Sequence, residues 1–129
     1  MPTYQDGCDR LVYLVTTVER LHEFGLSIVL TDRNAVLGYT DFVSFSDGLV
    51  LDDDFIDWPL MGEQYWNNTP DQPQRVERRM AECLVHQRVP WEAISEVVTN
   101  SLSVALEAEG LLASLKEQAT VSVRGGWYF

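Results

Sequence analysis

Four short runs rich in β-branched residues set the tightest constraint on this chain: Leu11-Val12-Tyr13-Leu14-Val15, Ser27-Ile28-Val29-Leu30-Thr31, Glu96-Val97-Val98-Thr99 and Thr120-Val121-Ser122-Val123-Arg124. Runs of this length and composition suit strands with at least one buried face. With 129 residues, 46% of them hydrophobic, the chain has enough apolar surface for one small globular domain and too much to be disordered. No apolar run approaches the roughly 20 residues needed to cross a bilayer. The start, Met1-Pro2-Thr3-Tyr4-Gln5-Asp6-Gly7, has neither the basic opening nor the apolar stretch of a signal peptide. These features predict a cytoplasmic protein without a membrane segment.

The segments between the runs predict a mixed α/β fold. Leu11–Val15 hands over directly to Thr16-Thr17-Val18-Glu19, where Thr16 caps a helix and Glu19 completes a capping box; Gly25 ends that helix, and Ser27–Thr31 returns as a strand. This predicts a strand, helix, strand unit of one mixed sheet. Asn34 to Tyr39 reads as a short helix, and Asp41 to Asp57, with six aspartates and Gly48, as mostly loop. Asp57-Trp58-Pro59-Leu60-Met61 starts a short helix or turn, and Asn67 to Pro73 is dense in turn formers. Beyond the basic lead-in Arg75 to Arg79, Met80 to Val89 reads as a strand ended by Pro90. Trp91 to Ile94 is a helical turn. Ser101 to Gln118 reads as a helix with Leu102, Ala105, Leu106 and Leu112 inward, interrupted in its propensity by Gly110. Thr120–Arg124 and Trp127-Tyr128-Phe129 are expected to close the sheet around Gly125-Gly126.

Chemistry narrows more slowly than fold. Cys8 and Cys83 suit a reducing compartment, and no Cys or His pattern has zinc-site spacing, so no metal is expected. His22 and His86 are far apart, and nothing local marks a nucleophile. A net charge of −11 opposes long-range attraction to nucleic acid or to an anionic membrane. Within that acidic total, Arg75, Arg78 and Arg79 fall within five positions, either as a site for phosphate or as a solvated face balancing Glu77 and the aspartates. Tyr65 and Trp66 either stack on an exposed base or pack as core and rim. Glu82 stands among Ala81, Cys83, Leu84 and Val85, where an unpaired carboxylate is costly. It is therefore paired with Arg78, Arg79 or Arg88, or it works at a cleft edge by orienting a sugar hydroxyl or taking a proton. Asp52-Asp53-Asp54 lacks the glycine and distal glutamate of a calcium loop and reads as solvated.

Several strings together resemble the DarT family of bacterial DNA ADP-ribosyltransferases. They are Tyr65-Trp66-Asn67-Asn68-Thr69-Pro70-Asp71, Arg75 through Arg79, Ala81-Glu82-Cys83-Leu84-Val85-His86, Val89-Pro90-Trp91 and Trp127-Tyr128-Phe129, with Val12-Tyr13-Leu14-Val15 and Thr31-Asp32-Arg33-Asn34-Ala35 also similar. The resemblance implies an ADP-ribosyltransferase-like mixed sheet core with flanking helices. It also implies a toxin that transfers ADP-ribose from NAD+ to a base, thymidine, in single-stranded DNA, and a macrodomain antitoxin that reverses the mark. Glu82 takes the place of the family's catalytic glutamate, and residues 41–82 that of its substrate-recognising loop, with Arg75, Arg78, Arg79, Tyr65 and Trp66 on the DNA side. Cys83 stands where the family has an aromatic residue. The match corresponds to the family's C-terminal half, so the expectation is a chain inactive without the NAD-binding half, with exposed sheet edges that favour self-association or a complementing chain. His22 and Arg33 are not assigned the histidine and arginine roles of that other half. The alternative is a non-catalytic nucleic-acid- or protein-binding module derived from the same fold.

Overall fold

The computed structural model describes residues 7–128; Met1 to Asp6 and Phe129 lie outside the described residues. In chain order the elements are β1 (Val12–Val15), α1 (Val18–Glu23), β2 (Ile28–Thr31), β3 (Phe42–Ser44), α2 (Trp58–Met61), α3 (Arg75–Arg79), β4 (Cys83–Val85), β5 (Glu96–Thr99), α4 (Leu102–Leu115) and β6 (Thr120–Val123), with 3-10 turns at Trp91–Ala93 and Gly125–Trp127. The fold is mixed α/β, as expected. It is divided into two compact units, one of residues 1–20 and 90–129 and the other of residues 21–89.

The first unit holds a sheet in the order β1-β5-β6, with β1 antiparallel and β6 parallel to β5. Its buried residues are Ala93, Val97, Val98, Thr99 and Ala105. Ser101 caps α4 by accepting from Val104 N, and Lys116, in a left-handed conformation, ends it. Gly110 does not break the helix. Leu102 and Leu106, expected inward, are 67% and 59% exposed, because the inner stripe of α4 is instead Val104, Ala105, Ala108 and Leu112. Trp127 and Tyr128, expected with Phe129 to close the sheet, form no strand, Phe129 lying outside the described residues: Trp127 ends a 3-10 turn, and Tyr128 donates its hydroxyl to Leu11 O at 2.8 Å and Val98 O at 3.0 Å.

The second unit holds the sheet β3-β2-β4, antiparallel throughout, over a core of Leu21, Ile28, Leu30, Ile56 and Leu60. The expected strand, helix, strand unit of one sheet is therefore not formed, since β1 pairs with β5 and β2 with β3 and β4. The capping box is also absent. Thr16 donates its hydroxyl to Ala93 O at 2.7 Å, and Thr17 Oγ1 accepts from Arg20 N at 3.1 Å in its place. Gly25 does end α1, with φ +74, where a side chain is disfavoured. Residues 34–39 are consecutive turns rather than a helix: Asn34 Oδ1 accepts from Val36 N at 2.9 Å, and Thr40 donates its hydroxyl to Asn34 O at 2.6 Å. Those side-chain bonds compete with the helical ladder. The strand expected over Met80–Val89 shrinks to β4, because Gln87 takes φ +63 and turns the chain out of the sheet. The basic lead-in is helical, as α3. Among the described residues no helix is long and apolar enough to cross a membrane.

Candidate active site around Glu82

Glu82 precedes β4 by one residue, yet the ladder reaches it. Thr31 N donates to Glu82 O at 2.9 Å, and Glu82 N donates to Thr31 Oγ1 at 2.9 Å. Because alternate residues share a face and cross-strand partners do too, Glu82 lies on the face that carries Leu84, Val29, Thr31 and Phe42. Val29, Phe42, Leu84 and His86 line an apolar cleft of about 690 Å³ on that face. The carboxylate is half-buried, and its Oε2 accepts from Ala35 N at 2.7 Å. Of the two sequence-based alternatives for this residue, the ion pair is not formed: none of Arg78, Arg79 and Arg88 bridges to it among the described residues. Arg78 is taken by Asp32, and Arg79 donates to Leu60 O and Met61 O. Glu82 Oε1 is left without a partner among the described residues. A carboxylate held at one oxygen by a backbone amide and open at the other is oriented to accept from a hydroxyl or take a proton.

The loop that supplies Ala35 N is built on Asp32, 3% exposed. Asp32 Oδ2 accepts from Arg33 Nε at 2.9 Å and Nη2 at 2.8 Å, and lies 3.3 Å from Arg78 Nη1. Burial pushes the Asp32 carboxyl up, but the Arg33 bonds, the Asp41 amide and the charges of Arg33 and Arg78 outweigh it and hold it below the ordinary value of 3.8. The outer side of Arg33 meets Glu77 at 3.6 Å and the ring of Tyr39 at 5.2 Å. These residues were not singled out for a site role on sequence grounds. Their only signal is the string Thr31 to Ala35, whose role depends on partners some fifty positions away, Thr31 and Ala35 both meeting Glu82.

The arginine cluster is neither a solvated face nor an open one. Arg75 and Arg78 side chains are only 13% and 14% exposed. Arg75 Nε donates to Asn67 O at 3.1 Å, Nη1 to Gln72 Oε1 at 2.7 Å and Nη2 to Tyr65 O at 2.7 Å, with an ion pair to Glu63. Arg78 Nη2 donates to Asp54 O at 2.8 Å. The three guanidinium groups thus hold the segment between β3 and α3 in place. Tyr65, 78% exposed, stands on that segment, and Trp66 beside it is half-buried. Side chains of Asp52, Asp53 and Asp54 face solvent. His22 lies apart from Glu82's partners, with Nε2 3.1 Å from Asp47 and its ring on Phe45. Cys83 is a free thiol that burial pushes up in pKa.

Comparison with known proteins bears on the family and the fold. The family model described as "ssDNA thymidine ADP-ribosyltransferase, DarT" matches residues 1–129. A DNA ADP-ribosyl transferase from a Thermus species is 31% identical over 128 residues, covering 98% of this chain and 58% of that protein. Two solved structures of a Thermus DarT superpose on 98% of this chain: a complex with NAD+ (TM-score 0.83, 28% identity, 61% of that chain) and a complex with ADP-ribosylated single-stranded DNA (TM-score 0.84, 28% identity, 58% of that chain). The chain therefore spans somewhat more than half the length of the relatives it matches, and its architecture is that of the ADP-ribosyltransferase fold.

Proposed function

This chain belongs to the DarT family of single-stranded DNA thymidine ADP-ribosyltransferases, and on that premise we propose that it carries the catalytic-carboxylate side of an enzyme that transfers ADP-ribose from NAD+ to thymidine in single-stranded DNA. In that reaction the bond from ribose to nicotinamide breaks, nicotinamide leaves, and the thymine ring nitrogen bearing a proton forms the new glycosidic bond while its proton departs. In this reading Glu82 does that work. Oε1 is open to accept the base proton or to bind a ribose hydroxyl, while Ala35 N–H keeps Oε2 from rotating. The observation that carries the reading is this orientation by a backbone amide, with no arginine among the described residues neutralising the carboxylate. Support for NAD+ and DNA comes from the Thermus DarT complexes.

Residues 41–82 serve as the DNA-recognising segment. Tyr65 and Trp66 are the stacking groups, and Arg75, Arg78 and Arg79 contribute by holding that segment. A toxin role with a macrodomain antitoxin that reverses the mark belongs to the same reading. The test is transfer from labelled NAD+ to a thymidine-containing oligonucleotide. It is run with this chain alone and with this chain mixed with the part of the Thermus relative that the match leaves uncovered. Transfer that Glu82→Gln abolishes in a folded protein supports the proposal. Transfer by Glu82→Gln at the parent rate overturns it and favours a non-catalytic binding module.

A further inference from the structure

Asp32 stands at the foot of the loop that brings Ala35 N–H to Glu82, and each of its contacts serves that loop or the helix beside it. Its Oδ1 accepts from Asp41 N at 2.9 Å and its own N donates to Asp41 O at 3.3 Å, closing the loop at the base. Its Oδ2 gathers Arg33 from the loop and Arg78 from α3. Higher in the loop, Thr31 donates its hydroxyl to Arg33 O at 2.6 Å and Thr40 donates to Asn34 O at 2.6 Å, which pins the two residues before Ala35, while Val36 N donates to Asn34 Oδ1 at 2.9 Å just after it. On the outside Tyr39 donates to Glu77 at 2.7 Å, and Glu77 faces Arg33.

A buried carboxylate, 3% exposed, beside two guanidinium groups is a costly way to hold a short loop, since apolar residues of similar volume often stabilise as well or better. What the ionic arrangement supplies is direction. We infer that Asp32 is a positioning residue for Glu82: by tying both ends of the loop and α3 to one point, it aims Ala35 N–H at Oε2 and so presents Oε1 to substrate. The inference rests on the reading of Glu82 as the catalytic carboxylate, although the hydrogen bond it concerns exists independently of activity.

The experiment follows the Ala35 amide by proton–nitrogen NMR of this chain during an acid titration. In the parent the Ala35 amide proton is expected downfield, moving upfield as Glu82 takes a proton; Glu82→Gln removes that movement and so assigns it. In Asp32→Asn the Ala35 response is expected to be lost, while the amides of Val97 and Val98 in the other unit are unchanged. In an active assembly the same variant lowers kcat by up to about 100-fold with little change in KM, as a small misplacement of a catalytic group does. An unaltered Ala35 titration in folded Asp32→Asn overturns the inference. If Asp32→Asn does not fold, Arg33→Gln replaces it: a weakened Ala35 response supports the inference, and a parent-like response overturns it. Loss of the Ala35 response together with full transfer by Glu82→Gln would sink the catalytic reading and leave the positioning of Glu82 intact. The opposite pair of results would do the reverse.

Discussion

A carboxylate pinned at one oxygen and open at the other is a different reagent from one neutralised by arginine, and this difference decides what Glu82→Gln does. Glutamine keeps the size of the side chain, and its amide oxygen can still accept from Ala35 N–H. Thermal melting should therefore stay near the parent value while transfer to thymidine-containing DNA is lost. Glu82 drew notice in the sequence as an acid among apolar neighbours; its actual partner, Ala35, lies 47 positions away and carries no distinguishing side chain. Asp32 behaves differently from Glu82. Its carboxyl is held below its ordinary value in the folded protein, so the folded state gains from its ionisation above about pH 3.8, and that gain is lost as the pH falls through the lowered folded value. The resistance of the parent to urea unfolding should fall as pH is lowered through this acidic window, and the corresponding slope should flatten in Asp32→Asn. At Tyr65, 78% exposed, truncation to alanine should leave stability unchanged and cost on the order of 1–3 kcal/mol in single-stranded DNA affinity if the ring stacks on a base, as read by anisotropy titration.

At the scale of elements, α3 explains why three clustered arginines need not mean three phosphate contacts. Each phosphate contact on single-stranded nucleic acid adds about 0.7 to the slope of log affinity against log salt. Arg75 is committed to Asn67, Gln72, Tyr65 and Glu63, so Arg75→Ala is expected to weaken DNA binding through a loosened Tyr65 segment while leaving that slope unchanged. Faster proteolytic cleavage within residues 62–74 should accompany it. A slope reduced by about 0.7 would instead make Arg75 a phosphate ligand. The turn after α1 gives a cleaner stability prediction: Gly25 has φ +74 with open space around its Cα, so Gly25→Ala should cost ~1–2 kcal/mol from backbone conformation alone, measurable as a lower urea midpoint. Gly25 was legible as a helix stop, and β5 and the start of α4 were legible to within a residue. The helix expected at Asn34–Tyr39 and the long strand expected over Met80–Val89 were not. In the first, the Asn34 and Thr40 side chains bond to the loop backbone; in the second, Gln87 adopts a left-handed conformation that its residue type does not announce.

For the whole molecule, charge and topology pull on different questions. With a net charge of −11 and its clustered arginines engaged internally, the chain should bind single-stranded DNA weakly and with only a shallow loss on adding salt, a behaviour that tryptophan fluorescence at two salt concentrations would show. The sequence by itself determined the mixed α/β class, the places of the main strands and of α4, the turn-rich stretch before α3, and Glu82 as the acid to watch. Each of these depends on periodicity, capping or composition within a few residues. The tertiary structure alone decided that β1 and β2 belong to different sheets in two compact units, that Arg75, Arg78 and Arg79 face inward, and that Asp32 and Ala35 complete the surroundings of Glu82. Those outcomes turn on which of many chemically equivalent partners a strand or guanidinium meets. That choice is made by the packing of segments far apart in the chain, for which local pattern supplies no preference.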